Sequence, residues 1–119
     1  MPASARSEPK LIFRLQLEPE GRIGRGKIEL LSHIRETGSI SAGGRAMDMS
    51  YRRAWLLVDE MNRLFRQPVV ESQRGGKQGG GAVLTPFGEA LIARYHAMEE
   101  KAQAALAADI GWIAAQLAE

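Results

Sequence analysis

The sequence predicts a mainly α-helical domain with a small β-sheet. Three observations carry this prediction. Apolar residues recur at helical spacing in four segments, capping residues stand at the ends of those segments, and an alternating run and a glycine-rich hairpin supply the strands. At 119 residues the chain is long enough for one modest hydrophobic core. We therefore expect one domain that begins after a flexible tail over residues 1–9.

The first predicted elements are a strand and a helix. Residues 10–17 alternate, with apolar side chains on one face: Leu11, Phe13, Leu15 and Leu17. Pro19 ends this strand. A helix is predicted over residues 25–37, with Gly38 at its C-cap, because three apolar residues fall at helical spacing: Ile28, Leu31 and Ile34.

Two further helices are predicted on either side of a tight turn. Ser39 is a good N-cap for a short helix, and Ser50 is a good N-cap for a longer one. The second helix, from Tyr51 to Phe65, carries one apolar stripe: Ala54, Leu57, Val58, Met61 and Phe65. Glycines disfavour a helix, so the pair at 43–44 predicts close approach of a second helix there.

A β-hairpin is predicted next, with strands over residues 69–74 and 82–85 and a glycine-rich tip between them. The tip carries three polar side chains: Arg74, Lys77 and Gln78. A nucleotide-binding phosphate loop is the alternative, but Glu71 stands where its first glycine belongs and Gln78 where its hydroxyl belongs. An apolar strand, rather than a helix, also follows the glycines. The spacing therefore favours the hairpin.

The chain is predicted to end in a long helix over residues 86–119, with Thr85 as N-cap and Pro86 at the first helical position. It ends near Asp109 or continues past Gly111; the pattern leaves both open. One apolar row runs along it: Leu91, Tyr95, Met98, Ala102 and Leu106. The first strand and first helix can cover part of this row. We expect the rest to form a homodimer interface within the same domain.

Charge is distributed unevenly along the chain. The net charge is only +2, but residues 22–77 hold eleven Lys/Arg against six Asp/Glu, and residues 78–119 hold two against five. A basic middle followed by an acidic end predicts that the middle faces a polyanion.

Composition disfavours several other classes of protein. There is no cysteine, and the two histidines, His33 and His96, are far apart, so we expect no metal and no cofactor. No nucleophile–base pair or carboxylate pair stands out, so we expect no enzyme. There is neither a signal peptide nor an apolar run of about 20 residues, as a membrane span needs. We therefore expect a cytoplasmic protein without membrane contact.

The order of elements indicates a function. A short helix, a tight turn and a helix that begins Ser-Tyr-Arg-Arg form a helix-turn-helix, and the basic hairpin that follows makes it a winged helix-turn-helix over residues 10–85. Such a fold binds double-stranded DNA through the start of its second helix and through its wing. The predicted DNA-binding residues are Ser39, Arg45, Ser50, Tyr51, Arg52, Arg53, Arg74, Lys77 and Gln78.

Two segments, GSISAGGRAMDMSYRRAWLLVDEMNRLF and VVESQRGGKQGGGAVLTPFGEALIARY, closely resemble a known family. They are similar to the N-terminal DNA-binding domain of ModE, the molybdate-responsive regulators, which is itself similar to LysR-type winged helices. The resemblance covers about residues 10–110. It implies a homodimeric transcription regulator that binds an inverted-repeat operator and dimerises through the long helix, with a link to molybdenum-related gene control.

The full regulators of that family continue into C-terminal domains that bind molybdate, and these 119 residues contain none of them. We therefore expect no molybdate binding by this chain alone. The alternative function is a dimeric interaction module that modulates another regulator without touching DNA. Asp59, on the outward face of the second helix, favours that alternative slightly, whereas Arg52, Arg53 and Lys77 favour DNA.

Overall fold

The computed structural model of the protein describes residues 9–17, 19–73 and 81–118. The predicted tail over residues 1–9 falls almost wholly outside these ranges, and so do three predicted DNA-binding residues at the hairpin tip: Arg74, Lys77 and Gln78. In chain order the elements are β1 Arg14–Gln16, β2 Arg22–Gly24, α1 Arg25–Thr37, α2 Ile40–Arg45, α3 Tyr51–Leu64, β3 Val70–Gln73, β4 Gly81–Leu84, α4 Pro86–Ala105 and α5 Ala107–Ala115.

The strands form two separate antiparallel pairs. The predicted strand over residues 10–17 is shorter than expected, because only β1 finds a partner, and that partner, β2, was not predicted. Leu15 lies opposite Ile23, which is buried, yet Leu15 itself is 40% exposed. The apolar face of this strand is therefore only partly covered at Leu15. The hairpin of β3 and β4 is confirmed, with Val70 opposite Leu84.

The first three helices begin and end close to the predicted residues, because their capping residues act as expected. Gly38 adopts a left-handed conformation (φ 76°), and its N–H donates to the Ile34 carbonyl at the end of α1. The Thr85 hydroxyl caps α4 by accepting from the Gly88 N–H at 2.9 Å.

The hydrophobic core lies around α1, whose inward face is fully covered by α2, β4 and α4. Buried apolar side chains from α3, from the hairpin and from α4 complete it. The predicted stripe of α3 is confirmed at its centre, where Ala54, Val58 and Met61 are at most 2% exposed. Burial of this stripe fixes which face of α3 points outward.

The C-terminal helix differs from the prediction. Instead of one long helix there are two, because the backbone leaves helical geometry at Leu106 (φ −104°, ψ 9°). The break lies in an alanine-rich run with neither proline nor glycine beside it, so the local sequence does not explain it. None of the residues of α5 is buried. No helix in the described ranges combines the length and apolar character that a membrane crossing requires.

Candidate nucleic-acid interface

The unit formed by α2, the turn and α3 is held together by close backbone approach. The Cβ that an alanine would add at Gly44 would lie 2.7 Å from the Cβ of Ala54 on α3, and one at Gly43 would meet Ile34 of α1. Both contacts are too short for a side chain, so only glycine lets the three backbones come so near. This confirms the close approach predicted from the glycine pair and fixes α3 against the rest of the core.

The turn between α2 and α3 is tight and well bonded. The Gly44 carbonyl accepts from the N–H groups of Met47 and Met49, both at 2.9 Å, and Asp48 takes a left-handed conformation (φ 58°). The Ser50 hydroxyl then accepts from the Arg53 N–H at 3.1 Å and caps α3. The turn therefore aims the first turn of α3 outward.

Four predicted site residues come together on that first turn: Ser50, Tyr51, Arg52 and Arg53, all exposed. In the described part of the chain, neither Arg52 nor Arg53 has an ion-pair partner. Some other cations do have such a partner: Arg35 contacts Glu89 at 2.9 Å, and on α3 itself Arg63 contacts Asp59 at 3.1 Å. The outward start of α3 therefore carries positive charge that no carboxylate of the described residues neutralises.

The two predicted residues of α2 have different surroundings. Ser39 is half-buried, and its hydroxyl accepts from the Ala42 N–H at 2.8 Å, so it acts as a helix cap. Arg45 is exposed and donates to the Ser41 hydroxyl at 2.8 Å. Arg45 therefore adds charge beside the turn, whereas Ser39 has its main contact within α2.

The outward face of α3 also exposes apolar area. Tyr51 and Leu56 are each 56% exposed, and Trp55 is 40% exposed. Sequence patterning places Trp55 and Leu56 on or beside this face but assigns them no role. About one turn later Asp59 forms an ion pair with Arg63, so the negative charge of Asp59 is neutralised within α3.

Asn62 connects α3 to the hairpin, a role that sequence reasoning missed. Its side-chain oxygen accepts from the N–H groups of Val69 (2.7 Å) and Val70 (3.3 Å), and its side-chain nitrogen donates to the Val70 carbonyl at 3.1 Å. The sequence carries no signal for this role, because an amide at this position could equally have faced solvent. These bonds fix the start of the hairpin relative to α3.

Hydrogen bonds also hold the second strand of the hairpin and the residue that follows it. The Thr85 hydroxyl donates to the Pro68 carbonyl at 2.7 Å, and the Thr85 N–H donates to the Val69 carbonyl at 3.0 Å. The Ala82 N–H donates to the carbonyl of Gly38 at the end of α1. The base of the hairpin therefore has a defined position beside α3, whereas the three residues predicted at its tip lie outside the described ranges.

The residues of the predicted dimerisation row differ in how far they are exposed to solvent. Tyr95 is only 2% exposed: its ring stacks on Phe13 at a centroid distance of 5.0 Å, and its hydroxyl donates to the Phe13 carbonyl at 2.8 Å. Burial, followed by the negative charge of Glu99, raises its pKa above the ordinary value of 10.0. This confirms that the first strand region covers part of the row.

The remaining members of the row become more exposed toward the C-terminus. Leu91, Met98 and Ala102 are half-buried, and Leu106 is 40% exposed. Beyond Leu106 the apolar surface continues along α5 and just past it, where three large side chains are 46–68% exposed: Trp112, Ile113 and Leu117. The free apolar surface therefore lies at the C-terminal end rather than near Tyr95.

Metal ligation finds no support in the described ranges, where no three His, Asp or Glu side chains converge. Glu29 and His33 are four residues apart on α1, and no third such side chain converges with them in the described ranges.

Comparison with known proteins finds homologues over much of the chain. It is 54% identical to the molybdenum-pterin-binding protein MopB of Rhodobacter capsulatus over 78 residues, which cover 66% of this chain and 29% of MopB. It is 39% identical to the DNA-binding transcriptional dual regulator ModE of Escherichia coli K12 over 98 residues, which cover 82% of this chain and 37% of that regulator.

A third relative is the molybdenum transport protein ModE of Azotobacter vinelandii, 41% identical over 80 residues, which cover 67% of this chain and 30% of the relative. The homologues are thus ModE and Mop proteins. The chain spans about a third of the length of the curated relatives it matches. No protein-family model matches it.

Proposed function

We propose that the protein is a sequence-specific DNA-binding transcription regulator that acts as a homodimer on an inverted-repeat operator. The observation that carries this proposal is the start of α3, where Arg52 and Arg53 are exposed and have no ion-pair partner among the residues that the structure describes. The α3 N-terminus that carries them follows a capped, glycine-packed turn. A helix N-terminus favours phosphate, and arginine can bond two acceptors of guanine at once. In this proposal α2 and α3 are a helix-turn-helix and the hairpin is its wing.

The hairpin supports the proposal by its position. Asn62 and Thr85 fix its base beside α3, so a basic tip between β3 and β4 would reach the DNA backbone next to the groove that α3 enters. Arg74, Lys77 and Gln78 would supply phosphate contacts there. Ser50 and Tyr51 would contact the backbone at the start of α3, and Arg45 and Ser39 would do so beside α2.

The homodimer is supported by α5. A nine-residue helix with no buried residue is marginal by itself, because its hydrogen bonds form without burial of apolar surface. A second copy that covers Leu106, Trp112 and Ile113 would supply that burial. A twofold dimer would also present two α3 helices, which one domain needs in order to read enough base pairs.

The relatives support a regulatory role. One is by name a DNA-binding transcriptional regulator, and others are by name molybdenum-binding or molybdenum transport proteins. We therefore place the proposed regulator in molybdenum-related gene control. The matched part covers about a third of those proteins, and we expect these 119 residues alone not to bind molybdate. Calorimetry that shows stoichiometric molybdate binding would contradict this expectation.

Salt dependence tests DNA binding directly. Each lysine or arginine that neutralises a phosphate releases counterions, so affinity for a duplex should fall by roughly 10³-fold or more between 50 and 200 mM salt. Fluorescence anisotropy with a labelled duplex measures this slope. In an Arg52→Ala, Arg53→Ala double variant, the affinity should depend less steeply on salt concentration.

The alternative, an interaction module without DNA contact, is favoured only by the exposed apolar area on α3. It predicts no retention of the duplex even at 50 mM salt.

A further inference from the structure

Leu56 is an exposed apolar side chain on α3, next to the residues assigned above to DNA. It is 56% exposed, and it is not among the partly buried hydrophobic residues that pack against the core, although its neighbour Leu57 is. It lies four residues after Arg52, so both side chains leave the same outward face of α3 one helical turn apart. Folding alone leaves more than half of Leu56 uncovered.

The surroundings of Leu56 make it distinct from scattered surface leucines. Trp55 and Tyr51, also exposed, flank it on one side of α3, and Arg52 precedes it on the same face. The first carboxylate that follows on this face, Asp59, is bound to Arg63 at 3.1 Å. The first two turns of α3 therefore present cationic and apolar groups together, without a free carboxylate.

The major groove of DNA offers one apolar group to such a surface. Thymine displays a C5 methyl group there, whereas the other three bases display only hydrogen-bonding groups at their edges. An arginine can identify guanine by two hydrogen bonds, but it gains nothing from a methyl group. A leucine does the reverse, because it gains only from apolar contact.

We propose that Leu56 recognises a thymine methyl group in each operator half-site. This inference rests on the proposed function, since it requires α3 to lie in the major groove. Residues four apart on a helix are about 6 Å apart along its axis. Base pairs are stacked about 3.4 Å apart. The thymine should therefore lie within about two base pairs of the base read by Arg52.

The test uses a duplex that the protein has selected from random sequence, synthesised with each thymine in turn replaced by deoxyuridine. This replacement removes only the methyl group and leaves the pairing unchanged. For the unmodified protein, one thymine per half-site should raise Kd by about threefold to tenfold when replaced, as expected for the loss of one buried methyl contact. Replacing the other thymines should change Kd less.

Two variants assign the effect to a side chain. Leu56→Ala should bind the thymine and deoxyuridine duplexes with equal affinity, because the group that senses the methyl is gone. Ile12→Ala is the matched control: Ile12 is also an exposed apolar residue (65%), but it lies outside α2 and α3, so the variant should keep the full thymine preference. Circular dichroism should show both variants folded, since neither side chain is buried.

The outcomes separate this inference from the proposed function. If the unmodified protein binds its selected duplex and no thymine is sensitive to methyl removal, Leu56 does not read a methyl group and the inference is overturned. The same holds if Leu56→Ala keeps the thymine preference. If the protein binds no duplex at low salt, the proposed function fails first, and the inference fails with it.

Discussion

Arg52 and Arg63 lie on the same helix but in different electrostatic surroundings. Arg63 is held by Asp59, whereas Arg52 has no ion-pair partner among the described residues. We expect Arg52→Ala to cost about 1–3 kcal/mol on the preferred site and to relax sequence preference, because a bidentate base contact is lost. Binding titrations on preferred and random duplexes measure both effects.

Two control variants test whether the effect is specific to Arg52. Arg63→Ala should change affinity little, because its charge is already met within α3. Lys77→Ala should weaken binding to all sequences alike, as the loss of a phosphate contact does. Equal losses on preferred and random duplexes for Arg52→Ala would show that Arg52 contacts a phosphate rather than a base.

Tyr95 makes stability depend on alkaline pH. Burial and the charge of Glu99 raise its pKa in the folded protein above 10.0. Above pH 10 the unfolded chain loses the phenolic proton before the folded protein does, so the free energy of unfolding falls as pH rises through this window. The contribution is fully present below pH 10.

Tyr95→Phe should lose about 1 kcal/mol at neutral pH, because the hydrogen bond to the Phe13 carbonyl is removed. Its stability should then decline less steeply above pH 10 than that of the unmodified protein. Urea unfolding at pH 7 to 11 measures both quantities. Tyr51→Phe, at an exposed ring, should leave the slope unchanged; parallel slopes for all three proteins would contradict the assignment to Tyr95.

At the scale of elements, Asn62 determines how the hairpin sits beside α3. Asn62→Ala would leave the N–H of Val69, a fully buried residue, without its partner, at a cost of about 1–3 kcal/mol. Thermal unfolding measures the loss. Hydrogen exchange should show faster exchange confined to the start of β3, and affinity for all DNA sequences should fall.

Gln67→Ala is the control for Asn62, since Gln67 is a nearby exposed amide on the connection to β3. Neither the stability nor the hydrogen-exchange pattern of the Gln67→Ala variant should differ from that of the unmodified protein. Unaltered exchange at Val69 and Val70 in Asn62→Ala would show that the hairpin is positioned by packing alone.

The helices were predictable because their ends carry chemical signals. Ser39, Ser50 and Thr85 accept the N–H groups that a helix start leaves free, and Gly38 takes the left-handed conformation that ends α1. The glycine pair predicted close approach of a second helix, and a side chain at Gly43 or Gly44 would indeed collide with Ile34 of α1 or Ala54 of α3.

Features that depend on distant contacts were not predictable. Strand β2 exists through pairing with β1, the burial of Tyr95 depends on Phe13 far away in the chain, and the amide of Asn62 could equally have faced solvent. The break at Leu106 has no local signal at all. For the candidate site, the cations on α3 were evident from the sequence, but their lack of partners required coordinates.

At the scale of the whole molecule, the protein is elongated, about 56 by 33 by 21 Å. One of its exposed apolar surfaces lies from Leu106 onward, and the last 42 residues carry the acidic excess. A dimer through this end would keep negative charge away from DNA and set the two α3 helices about 34 Å apart, or a multiple of that distance.

Leu106→Glu should convert the dimer to a monomer, because a charge cannot be buried unpaired in an apolar interface. The monomer should keep weak, non-specific DNA binding and lose the operator. Sedimentation at micromolar concentration measures the state. Ala93→Glu, an exposed position on α4 away from the row, should remain dimeric. A monomeric unmodified protein would contradict the dimer and the inverted-repeat operator together.

The most direct test of the central claim, sequence-specific DNA binding by a dimer, is selection of fragmented genomic DNA by the unmodified protein at low salt, followed by sequencing. We expect enrichment of a small set of fragments that share an inverted repeat, with half-sites about one helical turn, or a whole number of turns, apart. Retention of no DNA, or of fragments without a shared sequence, would contradict it.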